Sequence, residues 1–271
     1  MASVELFTGE NMNTFVSAVL VLALLSPLVY AQTPEEKGYA IAKETDRRDS
    51  GFADSSNESI LILRDAQGEE RIRELTIKTL EVPGDGDKDL GIFRKPADVK
   101  GTAVLTFSHG LRPDDQWLFL PELKRIKRIS SVNKSGPFVG SEFAFEDIAS
   151  WEIDKYKYRY LRDDVLDGHE CFVVENIPAY EYSGYSKRVE WVDKTIYQPR
   201  KIEFYDSKDA LLKTLTLYEY QQYLNQYWRA SRLEMVNHQN GKSTTLARQN
   251  YKFQNGFKES DFSESVLKSV Q

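Results

Sequence analysis

The sequence of 271 residues contains a single cysteine, Cys171, so no disulfide can form within the chain. Cys171 lies among apolar residues in the segment HECFVVENI, which is typical of a small buried side chain. Because it lies far from the predicted export site, it cannot be a lipid-modified N-terminal cysteine. The stability of the fold must therefore come from a hydrophobic core, which a chain of this length can form.

Histidine is also scarce, since the chain holds only His109, His169 and His238, widely separated in sequence. A three-histidine metal site is therefore not expected. His169 and the next residue begin a zinc-protease motif, but Val173 stands where its second histidine belongs. The nucleophile-elbow and phosphate-loop motifs are absent from the sequence as well. We predict no catalytic residues, no metal and no cofactor, and expect a protein that is not an enzyme.

Positive charge is in the minority, because 36 Lys and Arg stand against 42 Asp and Glu, for a net charge of -6. A mildly acidic chain is not expected to bind nucleic acid. The exception is the basic run KRIKRI at 124–129, which lacks the interleaved aromatic residues that stack on bases. A solvated strand face, or contact with an anionic lipid head group or an acidic partner, would explain this run.

Long apolar runs are limited to FVSAVLVLALLSPLVYA at 15–31, which ends with Val29 and Ala31 at the -3 and -1 places of a cleavage site. The run is shorter than the roughly 20 residues that a membrane span needs. We therefore predict a signal peptide over residues 1–31, cleaved after Ala31, and a soluble periplasmic protein without a lipid anchor.

The positive charge that usually begins a signal peptide is missing, and Glu5 and Glu10 stand in its place. Met12 is an alternative start that would remove both acids. Residues 32–271 contain no internal repeat, low-complexity linker or change of composition, so we predict that they form one domain.

Most of the mature chain follows the alternating pattern of β-strands with one solvated face. In KYKYRY, for example, Tyr156, Tyr158 and Tyr160 share one face. The pattern predicts about ten or eleven antiparallel strands, with turns at PGDGDKD, at LDGHE and, as a two-residue turn, at Asn240-Gly241. One helix is expected to begin at Pro34, with Thr33 as its N-cap.

Three segments depart from alternation and point to a cover over part of the sheet. The runs from Trp117 to Leu120 and from Ile60 to Leu63 are apolar on both faces, so we expect these strands to be covered on both sides. The later segment SGPFVGSEFAFEDIASW contains three phenylalanines, too many for an idle surface loop, and Ser141 is a plausible N-cap of a short helix within it. We expect this segment to lie over the sheet.

These same residues carry a resemblance to a known family. DDQWLFLPELKRIKRISS, followed by GPFVGSEFAFEDI, resembles the central motif of bacterial outer-membrane lipoprotein-sorting proteins, relatives of the LolA and LolB lipoprotein carriers. The flanking segments GYAIAKETDRRDSGFAD and DSKDALLKTLTLYEY fit as well, so the resemblance covers nearly all of residues 36–265.

The resemblance implies a mainly β fold: an incomplete antiparallel β-barrel, or half-barrel, that wraps an apolar cavity and is closed by a lid of short helices. Such carriers hold acyl chains of lipids or lipoproteins, and related members occur beside inner-membrane transporters of the resistance-nodulation-division (RND) class. Arg125 and Arg128 would then face a head group or a partner. Five aromatic residues would line or close the cavity: Trp117, Phe119, Phe138, Phe143 and Phe145.

Two functions follow from these observations. The first is a periplasmic carrier of lipid or lipoprotein acyl chains that assists transport to the outer membrane. The second is a non-enzymatic periplasmic sensor or adaptor that docks on an inner-membrane protein through the basic strand. Trp117 and Phe119 fit an ordinary core equally well, because a solid core and a lined cavity produce the same sequence pattern.

Overall fold

The computed structural model describes residues 32–269, and the predicted signal peptide and its cleavage after Ala31 lie outside this range. Thirteen strands form one antiparallel sheet, so the expected fold is confirmed with two or three more strands than predicted. They are β1 (Asp54–Arg64), β2 (Glu70–Leu80), β3 (Lys88–Lys95), β4 (Ala103–Phe107), β5 (Asp115–Leu120), β6 (Arg125–Ile129), β7 (Tyr156–Leu166), β8 (His169–Pro178), β9 (Lys187–Asp193), β10 (Pro199–Tyr205), β11 (Leu211–Tyr223), β12 (Tyr227–Asn237) and β13 (Ser243–Phe253).

The sheet is curved but open, and its two edges are consecutive in the chain. Strands β1 to β6 run as one meander and β7 to β13 as another, joined where β1 pairs with β13. Strands β6 and β7 therefore lie at opposite edges, and residues 130–155, the crossover segment, connect them. This arrangement is an incomplete antiparallel barrel, as the family resemblance implied.

Helix α1 (Pro34–Asp49) begins where the sequence predicts. The Thr33 hydroxyl accepts from the Glu36 N–H, and the Glu36 carboxylate accepts from the Thr33 N–H, a complete capping box. The helix packs closely on β7, because a Cβ at Gly38 would lie only 2.8 Å from the backbone nitrogen of Tyr160. It buries Ile41 against the tyrosine face of that strand. Helix α2 (Glu264–Leu267) is a single turn near the C-terminus.

The turn predictions have mixed outcomes. The β7–β8 hairpin turns at Asp167-Gly168, both with positive φ (49° and 82°), as a tight primed turn requires. The expected turn between β2 and β3 is also present. The prediction of a two-residue turn at Asn240-Gly241 is wrong, since five residues separate β12 from β13. There the Asn237 side chain accepts from two backbone N–H groups and supports a longer loop.

The two faces of the sheet are covered differently. On the inner face, phenylalanines of the crossover segment pack with residues from both meanders, Val104 among them. On the outer face, the C-terminal residues 257–267 cover an outer core that includes Leu105 and Phe119. Cys171 is fully buried, as predicted. No helix within residues 32–269 has both the length and the apolarity to cross a membrane.

Candidate functional site

The crossover segment forms the inner cover of the sheet without an α-helix. It contains three 3-10 helices of one turn each: Ser131–Asn133, Phe138–Gly140 and Ile153–Lys155. The prediction that Ser141 begins a helix is wrong, because this residue ends the second 3-10 turn and its hydroxyl donates to the Phe138 carbonyl (2.7 Å). The Phe138 N–H donates to the Phe143 carbonyl (2.7 Å), which closes a tight loop and leaves no continuing helical bonds.

Polar contacts tie this cover to both halves of the sheet. From β5, the Gln116 side chain donates to the Phe145 carbonyl (2.9 Å). From β11, Lys213 Nζ donates to Asp147 (2.6 Å) and to the Glu142 carbonyl (2.9 Å). The Lys213 and Asp147 side chains are each only 5% exposed, so this is a buried ion pair. Because a buried charge needs its partner, the pair holds the cover in one position.

Two adjoining cavities lie between the cover and the sheet. The smaller, the apolar chamber, has a volume of about 380 Å³. The larger, the polar chamber, has a volume of about 830 Å³. Eight lining residues common to both show that the chambers meet: Asp49, Phe52, Asp87, Asp147, Ala149, Ser150, Gln198 and Leu215. Volumes of this size suit a small ligand or an acyl chain.

Aliphatic and aromatic side chains form more than half of the wall of the apolar chamber, and charged side chains that include Asp89, Arg229 and Arg248 also line it. Gly91 on β3 also belongs to its wall, and a Cβ at this position would meet no atom within 4 Å. The space in front of Gly91 is therefore empty. Other apolar residues of the wall come from both meanders and from the cover: Leu61, Leu75, Ile77, Val104, Phe138, Phe143, Leu215, Ala230, Leu233 and Leu246.

Carboxyl groups collect where the two chambers meet. Burial, and then the nearby Asp89 and Glu152 carboxylates, raise the pKa of Asp87 to about 8. Burial raises the pKa of Glu152 to about 7, although Lys155 opposes the shift. Burial also raises the pKa of Asp89 to about 6, against hydrogen bonds from the Thr79 and Ser150 hydroxyls. Asp87 is therefore chiefly protonated at pH 7, which lowers the charge beside the apolar chamber.

The structure places the predicted aromatic residues in three surroundings. Phe138 and Phe143 line the apolar chamber. Phe145 packs edge to face on Phe138 (centroids 5.8 Å apart) in the inner core and lies behind the chamber wall. Trp117 and Phe119 lie in the outer core, on the opposite face of the sheet from both chambers. A ligand-binding role remains a prediction for the first pair.

Arg125 and Arg128 lie on the edge strand β6, away from both chambers. Arg128 forms an ion pair with Asp115 of β5. Lys124, Arg125 and Lys127 are exposed and form no ion pair within residues 32–269. The basic run is thus a solvated edge of the sheet, and contact with a head group or a partner there remains a prediction.

Sequence reasoning missed several residues that line the chambers. Gly91 stands between Leu90 and Ile92 as the one position of that strand without a side chain, which is a usable signal for a gap. Arg188 and Asn176 reach the polar chamber from different strands, and no local pattern relates them. Over residues 32–269, no three His, Cys, Asp or Glu side chains are placed to hold a metal ion.

Comparison with known proteins supplies three relatives of this fold. A family model described as "uncharacterized protein" matches residues 85–269. A crystal structure assigned to an outer membrane lipoprotein-sorting protein domain from Vibrio parahaemolyticus is 54% identical and covers 86% of this chain and 99% of its own, with a TM-score of 0.85. Among curated protein sequences, none matches significantly.

Two more distant structures agree in fold. A DUF1329 family protein from Desulfovibrio piger is 26% identical over 87% of this chain and 99% of its own, with a TM-score of 0.83. A LolA superfamily protein from Nitrosomonas europaea is 20% identical over 84% of this chain and 98% of its own, with a TM-score of 0.69. The similarity to the Nitrosomonas europaea protein concerns the fold alone.

Proposed function

Since this chain belongs to the family of outer membrane lipoprotein-sorting proteins, with a LolA-like fold, we propose that it is a periplasmic carrier of lipid or lipoprotein acyl chains. The acyl chain would lie in the apolar chamber, and the carrier would assist transport to the outer membrane. Its role is binding and transfer and not catalysis, with an RND-class inner-membrane transporter as a partner.

The observation that supports this proposal is the unfilled space beneath the cover. Protein interiors are normally packed as densely as organic crystals, so an apolar gap of about 380 Å³ is not a feature of an ordinary core. Each methylene buried there contributes about 0.8 kcal/mol, so ten methylenes would contribute at most about 8 kcal/mol. Such a gain is large enough to keep an acyl chain out of water.

The substitution Gly91→Phe tests the proposal because it fills the chamber without an initial clash. We expect the variant to fold and to lose most of its binding of a fluorescent hexadecanoyl probe. Val165→Phe is the matched control, since Val165 is 65% exposed on β7 and lies outside both chambers. It adds a ring to a strand and should leave binding unchanged.

Native mass spectrometry of the protein purified from periplasm provides the second measurement. Bound acyl lipid in the wild type and its absence in Gly91→Phe would support the carrier function. Equal probe binding by both proteins, or no probe binding by the wild type, would contradict it.

The adaptor function retains one supporting observation, which is the exposed basic edge of the sheet. Strand β6 is paired on one side only, so its backbone can accept a further strand. The exposed Lys124, Arg125 and Lys127 would favour an acidic partner. If docking occurs here, Arg125→Glu should abolish co-sedimentation with inner-membrane vesicles that contain the transporter, while probe binding persists. Retained co-sedimentation would rule out this edge as the docking site.

A further inference from the structure

We propose that the polar chamber recognises the carboxyl-derived oxygen at the head of an acyl cargo, through donors from Arg188 and Trp151. The group recognised is a carboxylate or an ester carbonyl. This inference rests on the proposed carrier function and adds the chemical class of the head group.

The first observation concerns Arg188, which extends from β9 into the polar chamber. Its side chain is only 11% exposed, yet Nε and one terminal nitrogen have no hydrogen-bond partner within residues 32–269. That terminal nitrogen lies 2.8 Å from Glu190, so the charges are paired although hydrogen-bond geometry is not met. Buried donors without acceptors are rare and destabilising, and a ligand oxygen would supply the missing acceptor.

Two further side chains in the same chamber have unfilled hydrogen-bonding capacity. Asn176 lies directly opposite Arg188 in the β8–β9 pairing, is 1% exposed, and its Oδ1 has no partner within residues 32–269. Trp151, in the crossover segment, has a buried Nε1 donor that is likewise unpartnered in the described chain. Three elements thus bring unfilled polar atoms to one cavity, which no single strand pattern would produce.

A pair of tyrosines positions the cations of the chamber. The Arg188 guanidinium lies 4.2 Å from the centre of the Tyr156 ring, and the Tyr156 hydroxyl lies 3.3 Å from that of Tyr180. On Tyr180, Lys134 Nζ lies 3.6 Å from the ring centre and forms no ion pair within residues 32–269. Cation–π contacts of this kind hold a guanidinium in place while its edge remains free to donate.

One acid of the chamber, Glu146, already has its acceptors engaged. Glu146 accepts from the Tyr180 hydroxyl, the Ser183 hydroxyl and the Gly184 N–H. The unfilled groups are therefore mainly donors, which favour an oxygen acceptor. An sp² carboxyl oxygen suits a guanidinium, because two parallel N–H bonds can reach one such group. A cationic head group is the competing possibility, since many acids line this chamber.

The site is placed so that one ligand can occupy both chambers. Leu215 and Asp147 line both of them, so a chain in the apolar chamber has its head within the polar one. The apolar chamber would hold the hydrocarbon, and Arg188 would fix the depth to which it enters.

The test compares binding of hexadecanoate, methyl hexadecanoate and hexadecylamine to the wild type and to Arg188→Met. Loss of a hydrogen bond to a charged donor corresponds to about a tenfold to hundredfold weaker Kd. We expect that loss for the acid, the ester or both, with the amine unchanged. Loss for the acid alone identifies a free carboxylate, and loss for both identifies an acyl carbonyl as sufficient.

Trp151→Phe is the second variant and can be used if Arg188→Met does not fold. It removes one N–H donor and keeps an aromatic ring. It should weaken the acid or the ester and shift the infrared band of a ¹³C-labelled carbonyl to higher frequency. Tightest binding of the amine, or unchanged Kd and band in both variants, would overturn the inference. If the acid, the ester and the amine all bind equally well, the head-group inference is overturned but the carrier function is not. If none of the three ligands binds, the carrier function is overturned as well.

Discussion

The inner and outer faces of the sheet differ in how completely they are filled, although the same strands supply both. On β3, Leu90 and Ile92 point to the outer face and are 1% and 2% exposed. Between them, Gly91 faces the inner side of the sheet, where a Cβ would meet no atom within 4 Å. One strand therefore contributes to a solid core on one side and to a chamber on the other.

Under the proposed carrier function, this difference explains how an open barrel can be stable and still hold cargo. The outer core is covered by residues 257–267, where Phe262 and Leu267 are 1% and 0% exposed. The inner face is covered by the crossover segment, which is held by polar ties as well as by phenylalanines. Part of the inner face is also densely packed, since Phe93 and Met235 are both 0% exposed there, so the unfilled space is confined to the chambers.

The largest expected effect comes from removing an aromatic ring from the outer core. Phe262→Ala should lower the free energy of unfolding by about 4 kcal/mol, because the ring is fully packed. Phe143→Ala should lower it less, since that ring already borders the apolar chamber. Urea unfolding of both variants measures the difference, and equal losses would show that the two faces are packed alike.

The next effect concerns the tie between the cover and the sheet. Asp147→Ala leaves Lys213 as a buried charge without its partner and should lower the free energy of unfolding by about 3 kcal/mol. Glu74→Ala, which removes an exposed partner of Lys95, is the matched control and should cause little change. If both variants unfold at the same urea concentration, the cover does not depend on the buried pair.

The junction of the chambers should make stability depend on pH. The pKa of Asp87 is about 8 in the folded protein and 3.8 as the ordinary value, so the folded state binds its proton more tightly. Its contribution to the free energy of unfolding is therefore present at low pH and is lost as pH rises from about 4 to 8. The free energy of unfolding of Asp87→Asn relative to the wild type should rise by about 3 kcal/mol between pH 5 and pH 8. A constant difference between the two proteins in urea unfolding would contradict this assignment.

The smallest effect is expected at the sheet edge. Arg125→Glu changes an exposed residue of β6 that belongs to neither core. The urea midpoint and the Kd for the hexadecanoyl probe should both stay at their wild-type values. A weaker Kd in this variant would show that the sheet edge contributes to binding in the chambers.

Local features of the fold were predictable because they depend on neighbouring residues. The capping box at Thr33 and the shared face of Tyr156, Tyr158 and Tyr160 follow from spacing along the chain. The loop at Asn240-Gly241 was predicted too short, since the Asn237 side chain supports extra residues that the dipeptide signal does not include.

By itself, the sequence determined the antiparallel strands, the start of α1, the burial of Cys171 and membership of the family. Only the tertiary structure decided which buried residues meet a chamber. Alternation shows that Trp117 and Leu118 point to opposite faces, but the distant residues 257–267 cover the first, and the crossover segment covers the second. Arg188 and Asn176 likewise meet only through strand register. The physical reason is that the apolar character of a residue indicates only that it is buried. Which segment buries it depends on packing between residues that are distant in the sequence.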